Sequence, residues 1–434
     1  MPVFGAILAA LFISSQLARA QTETVLYSFG DQPDGSNPYA SLLMDKNGNL
    51  YSTTNKGGTS GVGTVFKVTS TGEESVLYSF GSGSGDGTYP DGGLITYKGS
   101  LYGTTYAGGA GGPDCSFLGC GTVFKLSPKT AKGCPSGSNP GNGWCETVLY
   151  SFGGQSGDGI DPDAGLIVDT EGNLYGTTLS GGNDVGTVFE LSPEPAGGCA
   201  TGSNSGNGWC ETVLYSFGSE PDGANPYAGV TLDKSGNLYG TTANGGNNLG
   251  TVFKLTPEPA SGCAAGSNPG NGWCETVLYR FGNQSADGAN PHGALVMDGK
   301  GDLYGTTLNA GSGTWGTVFG VTPTGEEATL YSFGSQANDG CNPFDGLIRD
   351  SKGTLYGTTN ACGALDGGTV FELSPPAKKG AAWTETILYA FNFDAGEGDG
   401  TAPVGSLLLE GGNLYGTTDL GGANGNGTVF ELIL

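Results

Sequence analysis

Residues 237–242 read Asn-Leu-Tyr-Gly-Thr-Thr, and residues 250–253, one short loop later, read Gly-Thr-Val-Phe. Variants of the first phrase occur seven times, and a Gly-Thr-Val-Phe phrase follows each of them. The copies of the first phrase begin at Asn49, Ser100, Asn173, Asn237, Asp302, Thr354 and Asn413. A unit of this size cannot bury its own apolar face and must stack on neighbouring units. The repeat therefore decides the architecture, although it does not identify an activity.

One repeat predicts four β-strands. In the copy between residues 227 and 281, residues 228–233 alternate in polarity, and residues 237–242 are rich in aromatic and β-branched side chains. Residues 250–255 form the third apolar phrase, and residues 275–281 read Glu-Thr-Val-Leu-Tyr-Arg-Phe. Short turns containing Gly separate these phrases. Four antiparallel strands joined in this way are typical of one blade of a β-propeller.

The two ends of the repeat array predict how the ring closes. Residues 22–29 form a fourth-strand phrase, whereas residues 427–432 form a third-strand phrase. Pairing the N-terminal strand with the C-terminal hairpin completes the last blade and covers an open sheet edge. An open solenoid would leave both ends unpaired and usually needs atypical caps. We therefore predict an all-β, seven-bladed β-propeller with one-plus-three closure, formed as a single domain by residues 21–434.

Charge limits the classes of partner. The chain has 41 acidic and 16 basic residues among 434, a net charge of −25. Nucleic-acid binding requires clustered Lys and Arg, so nucleic acid is not expected as a partner. Anionic membrane surfaces are disfavoured for the same reason.

The N-terminus predicts export. Residues 3–13 are apolar but too short to span a bilayer, and Ala18-Arg19-Ala20 forms an A-x-A cleavage site. We predict a signal peptide at residues 1–20, although its first residues lack Lys and Arg. The mature protein is then secreted or periplasmic, with no membrane insertion after signal removal. The chain ends at Leu434 inside a strand phrase, so no C-terminal anchor is expected.

The ten cysteines fit an oxidising compartment and pair locally. Three pairs lie in near-identical segments between the third and fourth strands, and two further pairs remain. The predicted disulfides join Cys115 to Cys120, Cys134 to Cys145, Cys199 to Cys210, Cys263 to Cys274, and Cys341 to Cys362. A zinc site is the weaker alternative, because CxxC clusters are absent and the sequence has one histidine.

The full pattern combines Leu-Tyr-Ser-Phe-Gly, Asp-Gly-x-x-Pro, Gly-Asn-Leu-Tyr-Gly-Thr-Thr, Gly-Gly and Gly-Thr-Val-Phe. It resembles the GloVer tandem-repeat proteins, which are exported bacterial proteins, over essentially all of the mature chain. The resemblance implies an exported bacterial protein with a propeller-like body. It supplies no catalytic residues to assign to this sequence.

Acidic loops are the candidate metal sites. Each repeat carries Asp-Gly-x-x-Pro, in which the carboxylate, the Gly and the Pro suit an Asx-type turn before the first strand. The alternative is a ring of carboxylates around a cation. The richest copy contains Asp158, Asp161 and Asp163, which form a candidate calcium site. No other cofactor is predicted.

Aromatic residues and the one histidine are the candidate ligand-binding residues. His292 follows the Pro of its loop, where the other repeats have Tyr39, Asp91, Asp163, Tyr227, Phe344 and Val404, which indicates a variable, exposed position. Trp144, Trp209 and Trp273 precede fourth strands, and Trp315 lies in a loop on the opposite face. Exposed aromatic rings can stack on sugars. The alternative is that each Trp packs on a neighbouring hairpin.

No catalytic signature occurs in the sequence: Gly-x-Ser-x-Gly, His-Glu-x-x-His and phosphate-loop motifs are all missing. We predict a non-catalytic, exported binding or structural propeller that recognises an unknown extracellular partner, either a glycan or a protein. The alternative is a secreted carbohydrate-active enzyme, a hydrolase or lyase with carboxylates at the channel mouth. A third hypothesis is a scaffold stabilised by calcium.

Overall fold

A computed structural model describes residues 22–112, 115, 118–218, 221–284, 286–378, 380–394 and 398–434. The predicted signal peptide at residues 1–20 lies outside these ranges. The described residues form strands, turns and loops without a helix. Accordingly, this part of the chain has no helix with the length and apolar character needed to cross a membrane.

Seven antiparallel sheets, which we call blades 1 to 7, follow one another around a ring. Each contains strands a to d in the order a-b-c-d, with strand a next to the central channel. The a strands are Leu43–Met44, Ile95–Tyr97, Ile167–Val168, Thr231–Leu232, Val296–Met297, Ile348–Arg349 and Leu408–Glu410. The b strands are Leu50–Thr54, Ser100–Thr105, Leu174–Thr178, Leu238–Thr242, Leu303–Thr307, Leu355–Thr359 and Asn413–Thr418.

The outer two strands of each blade are longer. The c strands are Thr64–Val68, Thr122–Pro128, Thr187–Pro193, Thr251–Pro257, Thr317–Val321, Asp366–Ser374 and Thr428–Ile433. The d strands of blades 1 to 6 are Glu74–Ser79, Trp144–Ser151, Trp209–Ser216, Trp273–Arg280, Glu327–Ser332 and Thr384–Asn392. Blades 2 to 4 add a short fifth strand beside strand d, formed by Asn139–Pro140, Asn204–Gly206 and Asn268–Pro269.

Short two-stranded ladders connect the d–a loop to the b–c loop of each blade on one face of the ring. They pair Gly35–Ser36 with Lys56–Gly57, Gly87–Thr88 with Ala107–Gly108, Gly159–Ile160 with Ser180–Gly181, Gly223–Ala224 with Asn244–Gly245, Gly288–Ala289 with Asn309–Ala310, Gly340–Cys341 with Ala361–Cys362, and Gly400–Thr401 with Leu420–Gly421. We call this the ladder face.

The N-terminal strand closes the ring as predicted. Glu23–Ser28 is strand d of blade 7 and pairs antiparallel with Thr428–Ile433. The seam between blades 7 and 1 is also bonded, because the Thr417 hydroxyl donates to the Ala40 carbonyl at 3.2 Å. The sevenfold propeller with one-plus-three closure is therefore confirmed.

The repeated threonines explain why the Thr-Thr and Gly-Thr phrases recur together. In every blade the second Thr of strand b meets the Thr of strand c, with the two hydroxyl oxygens 2.8 Å apart in the core. Thr178 and Thr187 form this pair in blade 3. The first Thr of strand b bonds to the next blade, as in the 2.9 Å hydrogen bond from Thr177 to the Ala228 carbonyl. One phrase thus connects strands within a blade and blades within the ring.

Apolar packing between blades forms the core. Each of the buried clusters joins two neighbouring blades, and together they cover all seven seams. At each seam the Phe after strand d packs edge-on against the Phe of the next strand c; the centroids of Phe152 and Phe189 are 5.1 Å apart. A Cβ at Gly176 would lie 2.7 Å from the Phe189 ring, which explains the Gly in the strand b phrase.

All five predicted disulfides are present, and no cysteine is free. In blades 2 to 4 the bridge ties the c–d loop to strand d, as Cys199 and Cys210 do. Cys341 and Cys362 connect the two strands of a ladder. The inserted loops are therefore held close to the sheet that carries them.

Candidate functional site

The Asp-Gly turns direct the chain from the rim of the ring towards its axis. In every blade the tyrosine of strand d donates its hydroxyl to the turn aspartate, over 2.7 to 3.2 Å. Asp222, for example, accepts from Tyr215 at 2.7 Å and from the Gly218 and Gly223 amides at 2.8 and 2.7 Å. The carboxylates therefore stabilise the conformation of the loop, as expected for the Asx-type turn that the motif predicts.

The residue after each loop Pro faces a central cavity on the ladder face. These residues are Tyr39, Asp91, Asp163, Tyr227, His292, Phe344 and Val404, in ring order from blade 1 to blade 7. They line one cavity of about 530 Å³. A Gly or Ala follows six of these residues, because the wall is close-packed: a Cβ at Gly92 would lie 2.6 Å from the Ala164 backbone. The strand and turn phrases repeat around this cavity, whereas the side chains that line it differ from blade to blade.

One half of the cavity is aromatic. The Tyr227 and His292 rings are stacked at 4.3 Å with an interplanar angle of 7°, and Phe344 meets His292 edge-on at 5.4 Å. Burial lowers the pKa of His292 to about 4, so its imidazole is neutral near pH 7. Its Nδ1 is buried without a hydrogen-bond partner among the described residues. The expectation of an exposed position was wrong: His292 is withdrawn into the channel because seven loops converge there.

The other half is acidic. The Asn55 side-chain amide donates to the Asp91 carboxylate at 2.5 Å. The pKa of Asp91 is raised to about 6, mainly by burial; Asp419 contributes to the rise, whereas Asn55 and Lys56 oppose it. Burial is also the main reason that the pKa of Asp163 rises to about 8, and the nearby carboxyls of Asp91, Asp161 and Asp345 add to it. Both aspartates therefore keep their protons to higher pH than a free carboxyl group.

Two further carboxyl groups border the cavity. Asp345 accepts from the Gly346 amide at 2.6 Å and from the Ser406 amide of the next blade at 2.7 Å. Asp419 accepts from the Asn37 side chain at 2.8 Å across the blade 7–1 seam. Among the described residues that line the cavity, Lys56 is the only Lys or Arg. The titratable groups at the cavity are therefore mainly carboxyl groups.

The five residues predicted to bind a ligand are not brought together. Trp144, Trp209 and Trp273 begin their d strands, at the end of the blade opposite the ladder face. They are half-buried and pack against the cores of adjoining blades. Trp315 is 48% exposed and lies against Gly334 on the ladder face, outside the cavity lining. Only His292 of this set lines the cavity.

The three residues of the predicted calcium site do not form one group, although Asp161 lies close enough to Asp163 to raise its pKa. Asp158 is the turn carboxylate of its loop and accepts from Tyr150 at 2.8 Å and Gly153 at 2.9 Å, whereas Asp163 lines the cavity. Within the ranges that the structure describes, no three His, Cys, Asp or Glu side chains are grouped to hold a metal ion.

The sequence interpretation did not select Asp91, Tyr227, Phe344, Asp345 or Asp419 as site residues. A signal for three of them was available. The position after Pro in Asp-Gly-x-x-Pro is where the loops cease to repeat, and it contains Asp91, Tyr227 and Phe344. Asp345 and Asp419 lie outside that position, so their place at the cavity required the structure.

Comparison with a family model matches residues 12–136, 135–265 and 267–434 to the Gloeobacter/Verrucomicrobia repeat. Comparison with curated proteins found no match. Among solved structures, a protein of unknown function from Dyadobacter fermentans is 12% identical, with a TM-score of 0.42, and the alignment covers 94% of this chain and 96% of that chain.

Two other solved structures have similar scores. PorZ, a surface component of the type-IX secretion system of Porphyromonas gingivalis, is 13% identical with a TM-score of 0.43, covering 86% of this chain and 44% of that chain. A Trypanosoma rangeli sialidase is 11% identical with a TM-score of 0.39, and the alignment covers 96% of this chain and 59% of that chain. At these identities and TM-scores, no property of those proteins is transferred to this chain.

Proposed function

The chain belongs to the Gloeobacter/Verrucomicrobia repeat family, and we propose that it is an exported binding protein that holds one small ligand in its central cavity. One observation carries the proposal: seven equivalent positions of a repeating ring bear unlike side chains that converge on a single cavity. A symmetric structural role would need the same residue in each blade. Unlike residues around one cavity suit an asymmetric ligand instead.

A glycan is the class of ligand that we favour. The cavity volume of about 530 Å³ falls within the range of ~300–1,000 Å³ that is usual for small-molecule sites. The aromatic half offers Tyr227, His292 and Phe344 for stacking, and the acidic half offers carboxylates that accept hydrogen bonds from hydroxyls. Export is supported by the five disulfides, which persist in oxidising compartments.

A glycan panel tests this function with matched variants. The purified protein is expected to bind a subset of immobilised glycans, and Tyr227→Ala and Phe344→Ala are expected to abolish binding. Trp144→Ala and Trp315→Ala serve as controls and should leave binding unchanged, because neither residue lines the cavity. No binding to any glycan, or binding lost only in the Trp variants, would overturn the proposal.

A second candidate function is a carbohydrate-active enzyme, and the neighbouring carboxyl groups of Asp91 and Asp163 in one cavity favour it. Burial raises the pKa of both groups, and Asp91 raises that of Asp163 further, so the pair holds a proton to higher pH than free carboxyl groups do. Such a pair suits a general acid and a general base acting on one substrate.

Turnover of a polysaccharide by the purified protein would favour the enzyme, provided that Asp163→Asn abolishes the activity. Asp184→Asn is the matched control, because Asp184 is exposed in a neighbouring loop and its φ of 75° is one that Asn also adopts. Activity that survives Asp163→Asn would count against catalysis in this cavity.

A further inference from the structure

We propose that the group recognised in the cavity is an organic ammonium ion, so that the preferred ligand is an amino sugar or another small amine rather than a neutral sugar. This inference rests on the proposed function and specifies the chemistry of the same site. It follows from the charge of the cavity, from one unpartnered carboxyl group and from the arrangement of the aromatic rings.

Acidic groups outnumber basic groups at the cavity. The cavity lining contains the four carboxyl groups of Asp91, Asp163, Asp345 and Asp419, against the single ammonium group of Lys56. Lys56 favours the ionised forms of Asp91 and Asp419. It has no resolved influence on Asp163. A positive charge near Asp163 is therefore missing from the part of the chain that the structure describes.

Asp163 has no hydrogen-bond partner of its own among the described residues. Its side chain is half-buried at the cavity wall, and no hydrogen-bond donor among the described residues reaches its carboxyl group. The neighbouring carboxyl groups of Asp91, Asp161 and Asp345 all oppose its ionisation. A buried carboxylate without a donor is unfavourable, and an ammonium ligand supplies both the donor and the opposite charge.

The order of residues around the ring places acidic and aromatic side chains next to each other. Asp163 is followed by Tyr227, then by His292 and Phe344, so the acidic wall adjoins the aromatic wall. Cations are attracted to aromatic faces, and an ammonium group beside carboxylates and rings satisfies both. His292 is neutral at pH 7 because burial lowers its pKa to about 4, so it does not repel a cation. An anionic ligand would face repulsion from the same wall.

Binding should then depend on pH. A bound cation favours the ionised form of Asp163, so the site releases a proton and affinity increases as the pH rises from about 6 to 9. The groups that face Asp163 are the carboxyls of Asp91, Asp161 and Asp345 and the phenols of Tyr39 and Tyr106. Asp91, with a pKa of about 6, ionises at the lower end of this interval and adds to the same trend.

Two pairs of probes test the inference by isothermal titration calorimetry. D-Glucosamine and D-glucose differ in one amine, and choline differs from its uncharged tert-butyl isostere in one permanent charge. We expect the cationic member of each pair to bind at least about tenfold more tightly, a difference of about 1.4 kcal/mol. Choline, whose charge does not titrate, should bind more tightly as the pH rises.

The matched variants are Asp163→Asn and Asp184→Asn. The first should weaken binding of the cationic probes at least about tenfold and remove most of the pH dependence, whereas the second should change neither. Circular dichroism of Asp163→Asn checks that the ring is intact. Because the substitution removes repulsion between carboxyls, we expect no loss of folding.

The outcomes separate this inference from the proposed function. Equal binding of glucose and glucosamine, unaffected by Asp163→Asn, would overturn the ammonium inference and leave a glycan-binding site in place. Binding of choline without binding of any glycan would support the ammonium inference and overturn the glycan function. Failure of both cationic probes to bind would overturn the inference.

Discussion

The Glu211→Gln variant tests whether carboxyl groups buried between blades make the protein less stable as the pH rises. Glu211 begins the Glu-Thr-Val-Leu-Tyr phrase of blade 3, and 0% of it is exposed. One carboxyl oxygen accepts from the Asn204 side chain at 2.9 Å, and the other has no partner among the described residues. Burial, followed by the nearby Asp158 carboxylate, raises the pKa of Glu211 to about 8.

The sign of the effect follows from proton binding. An unfolded Glu loses its proton near pH 4.5, whereas folded Glu211 keeps it until about pH 8. Between these values the folded state binds more protons, so the free energy of unfolding falls with rising pH. The slope is at most about 1.4 kcal/mol per pH unit for one group, which over about three units is on the order of 4 kcal/mol. This stability is fully present below pH 4.5 and is lost by pH 8 to 9.

The assay is urea unfolding of the wild type and the variant at about pH 5, 7 and 9. Gln cannot ionise, so the variant should lose less stability with rising pH and should exceed the wild type at pH 9 by a few kcal/mol. Glu194→Gln is the control on the same blade, because Glu194 is exposed, and it should follow the wild type. Parallel pH profiles for Glu211→Gln and the wild type would refute the reasoning.

Three further predictions concern the interactions that hold the ring. Thr178→Val leaves the Thr187 hydroxyl without its buried partner and should lower the free energy of unfolding by about 1–3 kcal/mol; an unchanged urea midpoint would contradict this. Deleting residues 22–28 exposes the edge of strand Thr428–Ile433 and should cause aggregation in size-exclusion chromatography; a monomer with the wild-type melting temperature would disprove the closure argument. Replacing Cys199 and Cys210 together by Ser should lower stability by about 2–3 kcal/mol in urea, and equal midpoints would count against it.

Features that recur in the sequence were predictable from it. The strand phrases recur with turn residues between them, so the blades, their strand order and their number follow from the pattern. The closure follows from the phase of the two terminal phrases, and the disulfides follow from local cysteine spacing. The blades, the closure and the disulfides each depend on short segments. The partners of these segments in space are close in the sequence or occupy the equivalent position of another repeat.

The cavity was less predictable, because its lining comes from seven loops that are far apart in the chain. Asp163 and His292 were noticed, but as members of a calcium loop and an exposed loop, respectively. Their real neighbours, Asp91 for the first and Tyr227 for the second, lie on the preceding blade and become adjacent only when the blades stack. The burial of the Trp side chains was hard to predict for the same reason. Trp209 packs against an adjoining blade, which the sequence of a single repeat does not reveal.

A crystal structure of the protein grown with D-glucosamine tests most directly whether the non-repeating ring of side chains is the binding site. We predict the ligand in the central cavity on the ladder face, with its amine against Asp163 and its body against Tyr227 and His292. A ligand bound instead at the opposite face, beside Trp144 or Trp209, with an empty channel, would contradict the account.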